Sequence, residues 1–98
     1  MTIEWTPGAL LDLTDLQAYI AQDSPTAADL VTTRIRSAVD DLADNPGKGR
    51  RGREGAGKGI YELIVPRTRY TVAYRINGNV IQILALVHHA QQRPGPFL

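Results

Sequence analysis

The residues best suited to chemistry stand late in the chain. His88 and His89 are adjacent, and Arg67, Arg69 and Arg75 come shortly before them. An imidazole with an ordinary pKa of about 6.5 can give or take a proton near neutrality. Guanidinium groups stay charged and fork onto phosphate or carboxylate oxygens. Together they could move protons at, or simply grip, an anionic partner. Two neighbouring histidines on a strand point to opposite faces, so they cannot hold one metal ion together, and no third ligand stands at suitable spacing. Neither a metal nor any other cofactor is expected.

A second cationic set lies earlier. Six of the nine glycines fall between Gly47 and Gly59, interleaved with Lys48, Arg50, Arg51, Arg53 and Lys58. Gly52 to Lys58 imitates the phosphate-binding pattern G-x-x-x-x-G-K. That pattern needs Ser or Thr after the lysine, a strand before it and a helix after it. Here Gly59 follows the lysine, a helix precedes the segment and a strand follows. The stretch reads instead as a flexible basic loop over residues 47–59. Its cations are suited to phosphate contact, without interleaved aromatics to read bases.

A hairpin is what should bring the late residues together. Asn77-Gly78, flanked by β-branched and aromatic runs, predicts a two-residue turn with positive φ at both positions. Counting outward pairs Ile76 with Asn79, Tyr74 with Ile81, Val72 with Ile83 and Tyr70 with Ala85. That side, with Val87 and His89, is the expected core, and His89 there reads as a hydrogen-bonded core histidine. The opposite side carries Arg75 with Val80, Ala73 with Gln82, Thr71 with Leu84, Arg69 with Leu86, and then His88. A face of this kind is either covered or used.

The other elements follow from punctuation and period. Thr2 to Trp5 is a short strand. Thr6-Pro7 is a cap followed by proline at the first helical position. Leu10, Leu13, Leu16 and Ile20 then recur at helical spacing. Ser24-Pro25 repeats the signal, and Ala28, Val31, Ile35, Val39 and Leu42 form a second stripe that Asn45-Pro46-Gly47 ends. The short link predicts an antiparallel helical hairpin. Ile60 to Val65 is a strand, Pro66-Arg67-Thr68 a turn, and residues 90–98 an irregular tail. The expected fold is α+β in the order β-α-α-β-β-β, with two helices on one face of a small, mainly antiparallel sheet.

Ninety-eight residues make a single domain over 1–98. With no cysteine there is no disulfide framework, which fits a cytoplasmic location. No apolar run approaches the roughly 18 residues that cross a bilayer, and Glu4 and Pro7 interrupt any leader-like start. The net charge of +1 hides a division: residues 1–45 carry −6 and residues 46–98 carry +7. Such polarity suits an acidic partner, unless the halves neutralise each other in space.

Taken in order, Trp5-Thr6-Pro7, Tyr19-Ile20-Ala21, Asp23-Ser24-Pro25 with Ala27-Ala28, Gly49-Arg50, Gly52-Arg53, Tyr61-Glu62-Leu63, Val65-Pro66, Tyr70-Thr71-Val72, Tyr74-Arg75, Val80 to Leu84 and Val87-His88 resemble the RelE/ParE toxins of type II toxin–antitoxin modules. The resemblance covers nearly the whole chain and implies a curved sheet under two helices. It also implies an antitoxin partner in a hetero-oligomer, and one of two targets. RelE-like members are ribosome-dependent mRNA endonucleases, whereas ParE-like members inhibit DNA gyrase without hydrolytic chemistry. A RelE-like reading would make His88, Arg69 and Arg75 catalytic, helped by Arg53 or Lys58. However, His89 stands where some nuclease members carry tyrosine, Tyr70 where some carry arginine, and the tail has no acid or tyrosine. The expectation is therefore ParE-like. Arg50, Arg51, Arg53, Lys58 and Arg67 would contact target or phosphate, and exposed Leu84 and Leu86 would dock the antitoxin.

Overall fold

The computed structural model describes residues 1–51 and 59–90. Its elements are β1 (Thr2–Trp5), α1 (Pro7–Ala21), α2 (Pro25–Leu42), a 3-10 turn (Pro46–Lys48), β2 (Arg50–Arg51), β3 (Ile60–Ile64), β4 (Tyr70–Asn77) and β5 (Val80–His88). Both helices start where capping chemistry places them. The Thr6 hydroxyl accepts the Ala9 N–H at 3.2 Å, and the Ser24 hydroxyl accepts the Ala27 N–H at 3.1 Å, each ahead of a proline. Thr6 also donates to the Ile83 carbonyl at 2.7 Å, which ties the start of α1 to β5.

The five strands form one sheet in the order β1-β5-β4-β3-β2. β1 lies at one edge and runs parallel to β5; the other pairings are antiparallel. The fifth strand, β2, is an addition to the expected order: Arg50 and Arg51 pair with Glu62 and Tyr61 in a stretch read as a loop. Both helices cover one sheet face. Leu13, Leu16, Ile35, Val39 and Leu42 pack there against Leu63, Val72, Tyr74, Ile81 and Ile83. Fully burying an aliphatic side chain of this size stabilises by about 1.5–3 kcal/mol. Leu10, expected in the stripe, is 48% exposed, because Ala9 takes the core position beside Leu13 and Leu16. A smaller buried cluster of Ile60, Ala73, Ala85 and Val87, with Leu84 against it, occupies the opposite face.

The hairpin departs from its predicted register. Asn77 pairs with Val80, Ile76 with Ile81 and Tyr74 with Ile83, so Gly78 and Asn79 are the central turn residues. Gly78 has φ +61, whereas neither Asn77 nor Asn79 has a positive φ. Glycine at the first central position is the II′ arrangement, which moves the turn one residue along from the I′ turn that Asn-Gly would make. This two-residue change in pairing leaves each side chain on its expected face. A β-bulge does not: Tyr74 pairs with Ile83 but Ala73 pairs with Ala85, so Leu84 is the extra residue on β5. Past it the alternation reverses. Leu86 joins the helix-side core, while Ala85 and Val87 turn to the opposite face.

Candidate functional site

The reversal takes the late cations and the imidazole apart. Tyr70 pairs with His88, and their rings meet edge-on at 5.1 Å and 81°, so His88 lies on the helix side of the sheet. Arg75 alternates to the other side, where its Nε donates to Gln82 Oε1 and Gln82 Nε2 donates to Glu4 Oε1 at 2.8 Å. Arg69 is exposed just before β4, where its carbonyl accepts the His89 N–H at 2.9 Å. The three residues expected to share a face do not converge. His89, expected in the core, is exposed and shares a 3.0 Å hydrogen bond with the Thr71 hydroxyl.

His88 instead lines a groove of about 890 Å³ between α1 and the end of β5, with Asp12, Asp15, Leu16, Tyr19, Tyr70 and Leu86. The Ala90 N–H donates to His88 Nδ1 at 3.0 Å, which leaves Nε2 to carry the proton of the neutral ring. Burial pushes the Tyr70 phenol up, and Tyr19 adds to the effect. Asp12 comes from the middle of α1 and accepts the Leu86 N–H at 3.0 Å, beyond the end of β1. Among the described residues the groove thus offers phenols, carboxylates and one imidazole, but no guanidinium to stabilise a phosphorane.

The other cations occupy two places. Arg50 and Arg51 are exposed on the edge strand. Their approach is set by Tyr74, which is fully buried and stacks on Tyr61 at 5.7 Å. Its hydroxyl accepts the Gly49 N–H at 3.0 Å and donates to the Pro46 carbonyl at 3.1 Å. Arg53 and Lys58 lie outside the described residues. Arg67 sits in the β3–β4 turn at φ +60, and Arg34 Nη1 donates to its carbonyl at 3.0 Å. Leu86, expected to be exposed, is only 5% accessible, and Leu84 is half-buried. No group of three or more His, Cys, Asp or Glu among the described residues could hold a metal ion.

Sequence reasoning missed Asp12, Tyr70 and Tyr74 as organising residues. Asp12 did carry a signal: it is a lone carboxylate inside Leu10-Leu11-Asp12-Leu13. Nothing local marks Tyr74, whose partners are 25 and 28 positions away.

Comparison with known proteins agrees with this architecture. Residues 3–93 match the family model described as the ParE toxin of the type II toxin–antitoxin system parDE. Y4kP of Sinorhizobium fredii, named as a toxin, is 44% identical over 92 residues, covering 94% of this chain and 92% of that protein. Toxin RelE2 of Caulobacter vibrioides is 35% identical over 89 residues, covering 91% and 96%. Among solved structures, the chromosomal ParDE system of P. aeruginosa superposes with a TM-score of 0.76 at 27% identity, covering 90% of this chain and 95% of that one. The toxin–antitoxin complex RelBE2 of Mycobacterium tuberculosis gives 0.60 at 25% identity, covering 91% of each. A match over nearly the full length, on a sheet and helical hairpin of the same kind, places the chain in the ParE toxin family, among the RelE/ParE toxins of type II toxin–antitoxin systems.

Proposed function

We propose that this toxin arrests growth by binding DNA gyrase and is neutralised by a cognate antitoxin. The observation that supports the reading is the bulge at Leu84. It puts His88 across the sheet from Arg75, so among the described residues the set of His88, Arg69 and Arg75 that an mRNA endonuclease reading requires is not assembled on one face. A binder has no such requirement. In this reading Arg50 and Arg51, exposed on the edge strand, contact the target, with Arg53 and Lys58 next in sequence.

Two assays test it with one preparation. Purified toxin is expected to block gyrase supercoiling and to leave mRNA intact in a translating extract. Arg50→Glu with Arg51→Glu is expected to weaken the block tenfold or more, and His88→Ala to leave it within about twofold. Cut mRNA, with cutting abolished by His88→Ala, would overturn the proposal in favour of a ribosome-dependent endonuclease.

A further inference from the structure

Asp12, Asp15, Leu16 and Tyr19 recur at intervals of three and four on α1, so they share one helical face. That face is one wall of the groove of about 890 Å³ that also takes in Tyr70, Leu86 and His88. Leu16 and Leu86 are buried and give it an apolar lining. Tyr19 is 71% exposed, an aromatic ring left in water at the same wall. Two carboxylates line the groove, and no lysine or arginine of the described residues does. The Leu86 N–H already engages Asp12, whereas Asp15 makes no ion pair among the described residues.

Tyr70 gives an independent sign of a ligand. It is 8% exposed, yet its hydroxyl has no hydrogen bond among the described residues. No side-chain oxygen or nitrogen sealed from solvent lacks a partner among these residues, so the hydroxyl is not sealed in. It opens into the groove that its ring lines. His88 Nδ1 is taken by the Ala90 N–H, so the acceptors offered here are carboxylate and phenol oxygens. A matching ligand is rich in donors, positively charged and partly apolar. An alkyl guanidinium fits: it donates in several directions, accepts nothing, and its planar head stacks on an aromatic ring.

We propose that the groove between α1 and β5 binds a small molecule carrying a guanidinium group on an aliphatic stem. The Asp15 carboxylate and the Tyr70 hydroxyl accept from the head, the Tyr19 ring stacks on it, and the stem runs along Leu16 and Leu86. The groove volume lies within the roughly 300–1,000 Å³ of small-ligand sites. The sheet order sets it away from the cationic edge: β4 and β3 separate β5 from β2, which carries Arg50 and Arg51. A molecule bound here therefore leaves the edge read as the target contact open. It stabilises the folded toxin by mass action.

The test titrates butylguanidine, and its neutral counterpart of the same shape N-butylurea, into the full-length toxin. The readout is the NMR shift of the Leu86, His88 and Ala90 amides, which border the groove. Butylguanidine is expected to move them with a Kd of about 1 mM or tighter, and N-butylurea to leave them in place. Asp15→Asn and Tyr70→Phe should each weaken butylguanidine binding about fivefold. Both should keep the wild-type melting temperature without ligand, because neither removes a bond of the described fold, and both should arrest growth as wild type does. The proposal is overturned if butylguanidine moves none of the three amides, if N-butylurea moves them equally, or if either variant binds butylguanidine as wild type does. It is also overturned if either folded variant fails to arrest growth, since the groove would then belong to the toxin's target. None of these readouts depends on which target that is.

Discussion

Tyr74 shows how much one side chain can organise. Its ring is in the core while its hydroxyl bonds the main chain at Gly49 and Pro46, just before the cationic edge strand. Tyr74→Phe removes both bonds and leaves two partly buried backbone groups to find other partners. The expected loss is about 1–3 kcal/mol in denaturant unfolding. Gly49→Ala should cost a similar amount, because its Cβ would collide with the Tyr74 hydroxyl, and a buried ring cannot swing aside. Burial pushes the Tyr74 phenol above its ordinary value of 10.0, partly offset by the Gly49 N–H, and Tyr70 shifts the same way. A raised folded-state pKa gives stability that is full below the unfolded value and lost as pH rises through the folded one. Thermal melts should therefore fall increasingly above about pH 10, and Tyr74→Phe should flatten that alkaline limb. Asp41 behaves oppositely. The hydrogen bond and charge of Lys48 lower its pKa, so its contribution is present above 3.8 and lost as pH falls through the lowered value. This pair is solvent-exposed and matters little to stability.

Among the elements, helix starts were legible and strand pairing was not. Thr6-Pro7 and Ser24-Pro25 announce themselves because a cap is a local device, satisfied within three residues. Thr6→Ala is expected to cost about 1 kcal/mol from the lost cap, and somewhat more here because the bond to Ile83 goes with it. The bulge depends on distant groups. Leu86 N–H turns out toward Asp12, a carboxylate 74 positions earlier, so no count along the hairpin could reveal it. That one residue explains why His88 and Leu86 were assigned to the wrong face while Tyr74 and Ile81 were assigned correctly. Asp12→Ala leaves the Leu86 N–H without this acceptor and should cost about 1–3 kcal/mol. Amide exchange at Leu86 should quicken well before exchange at Ile83, and equal protection in mutant and wild type would contradict the assigned role of Asp12.

The whole molecule is one sheet with both helices on one side, and this layering was legible from periodicity alone. Its target surface was less legible, since charge counts give signs and not positions. The fold supplies the positions: Arg50 and Arg51 lie on an edge strand, while Arg34 and Arg67 flank a groove between α2 and the β3–β4 turn. Within the described residues, no helix is long and apolar enough to cross a membrane. The strand order has a further consequence. β5, the last strand made, is the one that both β1 and β4 need as a neighbour. During synthesis, β1 emerges first and has nothing to pair with until residues 80–83 leave the ribosome. A nascent chain halted before Val80 lacks the middle of its own sheet and should be digested readily by protease. A poison whose β1 waits for β5 is expected to gain its fold, and with it any power to harm, only once Val80 to His88 has been made.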